Sequence, residues 1–164
     1  GAALKSSPDT TKGKRDSGNA QPGIPCEAHT ERKMLTKEFL DQFSGTENWH
    51  KHWLGMAYTD GVKAMADKGG AHWLIDAIAS YQAHKAITGN EMLRDMQFWK
   101  LVVKGGKGVL TCVADSGYDP AITQNIPFTD FPLDEVEIWV ERGSYPSNGG
   151  RMVAGMVAML PGER

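Results

Sequence analysis

Cysteine is scarce in this chain of 164 residues. Cys26 and Cys112 are the only two, too few for a disulfide framework or a zinc site built from thiolates. Long apolar runs are missing as well, which excludes an ordinary transmembrane helix. The first residues hold no apolar core of the signal-peptide kind. A cytoplasmic protein that does not engage a membrane is therefore expected. Strong charge of either sign is lacking too. The net charge is −2 and the pI is about 6.2, which argues against nucleic acid as a partner. Hydrophobic residues make up 40% and charged residues 23%. These are ordinary values for a globular domain, so a wholly disordered chain is set aside.

What charge there is lies unevenly. Residues 1–33 hold six Lys/Arg and four Asp/Glu, and residues 34–164 hold 12 and 16. The first stretch has only Leu4 and Ile24 as large apolar side chains. It cannot bury enough surface to offset its ordering entropy. We read 1–33 as a disordered leader foreign to the domain, and Met34 as its opening residue. Residues 34–142 then form one domain, and 143–164 a C-terminal extension.

Within the domain, Leu35, Phe39, Leu40 and Phe43 fall on one helical face, with Thr36 placed to cap. Residues 49–58 fit either a strand or a helix. The strand is favoured because Thr59-Asp60 follows as a natural N-cap. Residues 61–68 read as a short helix ended by Gly69-Gly70. Residues 71–87 read as the clearest helix, with Trp73, Leu74, Ala77, Ile78 and Tyr81 in one stripe. The period then changes. Residues 97–103 and 109–113 read as strands joined by a Lys-Gly-Gly-Lys-Gly turn. Residues 122–126 form a short strand. Val136, Ile138 and Val140 alternate with Glu135, Glu137, Trp139 and Glu141, as in a half-buried strand with an acidic face. Residues 143–150 read as a loop. Met152, Met156 and Met159 stand at helical spacing. The expected fold is α+β in two layers, with short helices on one face of an antiparallel sheet of about 4–5 strands.

The phrases FSGTENWHKH, YTDGV, HWLIDAIASYQ, QFWKL and TDFPLDEVEIWV together resemble an uncharacterised family of small bacterial proteins, also carried by phages and mobile elements. The resemblance covers residues 43–140, most specifically in YTDGV and WLIDAIAS. It implies a mobile-element or gene-cassette setting and no activity, cofactor or catalytic residue.

The polar candidates for ligand binding are His50, His52, Asp60, His72 and Asp76. On a strand, His50 and His52 project to one side and can share an ion completed by Asp60 or Asp76. On a helix they diverge. His72 and Asp76 stand at i, i+4 and share a helical face. No zinc signature is complete, so neither a metal site nor a cofactor is assigned. Asp76 lies in the apolar run Leu74-Ile75-Asp76-Ala77-Ile78. There it reads as a structural hydrogen bond from helix to loop or, more sharply, as a perturbed carboxylate. In YTDGV, Thr59 and Asp60 read as caps, with an anion at the helix N-terminus as the functional alternative. Cys112 reads as a small core residue.

Most of the five tryptophans should be core. Trp139 is the exception, standing among acids as a partner surface with Glu137. If its strand is an edge, a second chain can pair there. Met152 and Met156 complete this interface set, or cover it. No catalytic set is complete. The expected function is thus a small non-enzymatic binding or accessory protein, homo-oligomeric, with an unknown protein partner. The rivals are a metal-dependent or acid–base enzyme using His50, His52, Asp60 and Asp76, and an acidic inhibitor that mimics nucleic acid.

Overall fold

A computed structural model describes residues 35–164. The leader expected at 1–33 lies outside the described residues. Thr36 caps α1 (Lys37–Asp41), its hydroxyl accepting from the Phe39 N–H at 3.0 Å. Two short strands follow, β1 (Trp49–Lys51) and β2 (Ala57–Thr59). The favoured strand over 49–58 is thus a hairpin, turned at Gly55 with φ 108°. A positive φ of this kind suits only glycine well. Thr59 caps α2 (Asp60–Gly69), and Gly70 closes it in the left-handed conformation, φ 62°.

The long helix expected over 71–87 is two. After α3 (His72–Tyr81) the chain breaks, and the His84 ring accepts from the Ala86 N–H to start α4 (Lys85–Thr88). A fifth helix not foreseen, α5 (Glu91–Asp95), is capped by Asn90. The strands β3 (Met96–Lys104) and β4 (Lys107–Val113) form the expected hairpin. Gly105 and Gly106 both have positive φ there, 61° and 76°, the twist that tight hairpins require. The remaining strands are β5 (Ile122–Ile126), β6 (Glu135–Pro146) and β7 (Met152–Met159).

All seven strands form one sheet in the order β1-β2-β7-β6-β3-β4-β5. The α+β class holds, but the sheet is larger than four or five strands. It is also mixed, because β2 and β7 run parallel. The helix-like spacing of Met152, Met156 and Met159 misleads. The segment is an interior strand with Val157 and Ala158 both buried. Burial on both faces erases the period-two alternation that marks a strand. The boundary at 142/143 falls inside β6. That strand lies between β7 and β3, so Trp139 is not on an edge; β1 and β5 are the edges.

The core lies between the helices and one sheet face. Val62, Met65, Leu74, Ile78 and Leu93 from the helices pack with Trp99, Leu101, Leu110, Cys112, Ile138 and Val140. Gln97 is fully buried among them, and its amide is satisfied throughout. Its Nε2 donates to Gln82 Oε1 and the Leu93 carbonyl, and its Oε1 accepts from Gln82 Nε2 and Trp99 Nε1, all within 2.8–2.9 Å. Burial pushes the Cys112 thiol up to about 12, so it is an inert core residue. Trp53 departs from the expectation of core tryptophans: it is 82% exposed at the β1–β2 turn.

Candidate functional site

The five polar candidates do not converge. His50 Nε2 meets Asp60 Oδ1 at 2.8 Å, and His52 Nε2 meets Asp76 Oδ1 at 2.6 Å. His72 turns from Asp76 to Asp67, at 2.6 Å. Three separate histidine–carboxylate pairs result. Among the described residues, no three His, Cys, Asp or Glu side chains are placed to hold a metal ion. His50 and His52 cannot share one because each is taken by a different carboxylate.

Each pair has a local structural task. The buried His52 ring accepts the Leu54 N–H on Nδ1 at 3.0 Å. Its proton therefore sits on Nε2 and is donated to Asp76. Both nitrogens are used, and the ring fastens the hairpin turn to α3. Asp76 itself is open to solvent, its side chain 62% exposed, despite its apolar neighbours in sequence. It stands on the outer side of α3 while Leu74, Ile75 and Ile78 point inward. Asp60 gathers the loop before β1: its Oδ2 accepts from the N–H groups of Glu47 and Asn48 and from the Asn48 amide. Burial works to raise the Asp60 carboxyl. The hydrogen bonds from His50, Glu47 and Asn48 outweigh it and hold the group below the usual range. Lys63, aided by His72, holds Asp67 down in the same way.

YTDGV does meet an anion, and the anion belongs to the chain. The carboxylate of Glu163, in the 3-10 turn Pro161–Glu163, accepts from the Thr59 hydroxyl at 2.6 Å and the Gly61 N–H at 3.0 Å. A carboxylate suits the positive end of α2. A Cβ at Gly61 would lie 2.5 Å from Glu163 Oε1, so a larger residue there would displace this carboxylate. Local reading cannot find this partner, 102 residues away.

No helix among the described residues covers the other sheet face. Its residues are the alternate set: Phe98 and Lys100 on β3, Thr111 and Val113 on β4, Glu137 and Trp139 on β6, Val157 and Met159 on β7. Direct cross-strand neighbours make one apolar row, Val113–Phe98–Trp139–Met159. The Phe98 and Trp139 rings meet edge to face, centroids 5.3 Å apart, and both are half-buried. Beside this row runs a polar one, Thr111–Lys100–Glu137. One shallow depression is lined by Trp139 with Phe98, Val113 and Asp115, and another by Trp49, Met159 and Arg164. Farther along, Ala57, Tyr145 and Val157 form a small buried cluster with Trp49, Val153 and Met159.

Of the interface candidates, Trp139 and Glu137 lie on this open face, the indole donating to Glu137 Oε1 at 3.4 Å. Met156 points the other way and packs on the main core. Met152 is 60% exposed at the far end of β7. The acidic stripe over 134–141 is broken: Trp139 interrupts it, Lys100 pairs with Glu135, and Arg164 grips Glu141 through two 3.2 Å bonds. A separate cavity of about 300 Å³ lies between α1, the start of β6 and the 3-10 turn, lined by none of the histidines named above.

A family model matches residues 34–164, described as a family of unknown function. The chain belongs to the family of unknown function DUF6876. No curated protein and no solved structure matches it. The DUF6876 match begins at Met34 and runs through the last strand, beyond residues 43–140 where the sequence phrases point to a family. No helix among the described residues is long and apolar enough to cross a membrane.

Proposed function

We propose that this DUF6876 protein is a small non-enzymatic binding module that presents the open face of its sheet to a protein partner. One observation carries the reading: the Val113–Phe98–Trp139–Met159 row lies on the sheet face that no helix among the described residues covers. Aromatic side chains in shallow surroundings, rimmed by charge, are what protein interfaces use as anchors. The histidines His50, His52 and His72 are each engaged with a carboxylate, which supports a structural part for them. A cytoplasmic setting accords with a free, buried Cys112. The mobile-element setting rests on the sequence phrases alone.

The test is photo-crosslinking. A benzophenone side chain in place of Trp139 should give protein adducts, and the same group at the exposed Ser80 on α3 should not. Equal yields at the two positions would remove the open face from consideration.

A further inference from the structure

We infer that the open face takes a second copy of this chain, packed sheet on sheet about a two-fold axis that runs along the strands between β3 and β6. The inference rests on the open-face reading above and names its occupant.

The argument is one of register. Rotation about that axis keeps each residue in its own cross-strand row and exchanges β3 with β6 and β4 with β7. Within the chain Phe98 is opposite Trp139, Lys100 opposite Glu137, and Val113 and Met159 end one row. The rotation therefore lays Phe98 over Trp139 of the second copy and Val113 over its Met159. In the next row it lays Lys100 over Glu137 of the second copy, and Glu137 over its Lys100. Every apolar residue of the central row meets an apolar one, and both central charges meet their opposites. Glu137 has no cationic partner within its own chain among the described residues, while Lys100 reaches Glu135 only at 3.7 Å. Asp115 beside Val113 is carried toward the side where Arg164 stands beside Met159. The two central rows have the self-complementarity that an isologous interface needs, while in the rows outside them Val102 meets Glu135 and Met96 meets Glu141 of the second copy; aligned sheets pack this way in β-sandwiches.

The contact is narrow. β3 and β6 overlap in register over about seven residues, and β4 and β7 share only the Val113–Met159 row. Two strands by seven residues span about 10 Å by about 23 Å, so the dimer is smaller than the standard interface of roughly 800 Å² per partner and is a weak one.

Sedimentation velocity decides it, with Lys100→Glu and Glu137→Lys as the probes. The wild type should dimerise. Each variant places two like charges face to face and should weaken its own dimer by about tenfold or more. An equimolar mixture should form a heterodimer, because an all-acidic row then faces an all-basic one. Recovery in trans cannot come from repairing a fold. A monomeric wild type, or a dimer indifferent to both substitutions, overturns the inference.

Should a variant fail to fold, the benzophenone at position 139 reads the same interface in the otherwise native chain. An adduct of twice the chain mass, mapped to the Phe98 strand, supports it. Adducts only with another protein overturn the second copy and leave the open-face reading standing. No adduct at all removes both.

Discussion

Trp99 and Trp139 stand on neighbouring strands and point to opposite sides of one sheet. Trp99 is 1% exposed, and its indole N–H is held by the buried Gln97 at 2.8 Å. Trp139 is half-buried, rests edge-on against Phe98, and lends its N–H to an exposed carboxylate at 3.4 Å. The first is enclosed by helices, and the second lies between Phe98 and Met159 of the neighbouring strands. Residue type alone does not separate the two. What separates them is which side the helices cover, and that follows from alternation along β3 and β6. One face stabilises the domain, and the other has surface to give to something else.

The contrast can be broken most forcefully at Trp99. Trp99→Ala should cost about 3–5 kcal/mol of folding stability by urea denaturation. A loss as small as that of a surface change would mean the helical layer does not enclose it. Gln97→Leu comes next, at about 2–4 kcal/mol, because it strands the Trp99 N–H and the Leu93 carbonyl in a dry core. Trp139→Ala should cost only about 1 kcal/mol of stability, the order of a lost aromatic pair. Its main effect should appear in light scattering, as weaker self-association. A stability loss equal to that of Trp99→Ala would erase the distinction between the faces.

The smallest effect concerns acid. Asp60 titrates below its ordinary value, so its contribution is fully present above the unfolded-state pKa of about 3.9 and fades as pH falls through the folded value. Asp60→Asn should flatten the fall in melting temperature between neutral pH and strongly acidic pH. The group is partly solvated, which keeps the effect small. An unchanged acid limb would show that Asp60 does not tie down the loop before β1.

Much of this frame is legible in local chemistry. Thr59 and Gly70 announce the two ends of α2, and Gly105-Gly106 announces the β3–β4 hairpin. The alternation of Val136, Ile138 and Val140 marks β6 and predicts correctly that Trp139 lies on the open side. The misses share one cause, distance along the chain. β7 looks helical because its neighbours on both faces come from remote segments. Gln97 looks like any surface glutamine until Gln82 and Leu93 arrive. The Glu163 carboxylate satisfies a motif 102 residues earlier. His50 and His52 look like a pair because they are close in sequence, but α2 and α3 supply a different carboxylate to each.

The parallel seam between β2 and β7 has a consequence for how the chain folds. β7 is the last of the described strands to be synthesised, yet it sits between β2 and β6. Until it arrives, the β1–β2 ribbon has no bond to the β6-β3-β4-β5 sheet. The nascent chain can complete those four strands earlier, through the β3–β4 hairpin, the β4–β5 pair and the longer-range pairing of β3 with β6, Met96 with Glu141. Closure then waits on a contact spanning about a hundred residues, Ala57 to Val157. Loop-closure entropy makes such a step late and slow. In the interval the flanks of β2 and β6 stand open, and chaperone contact or misassembly would strike there first.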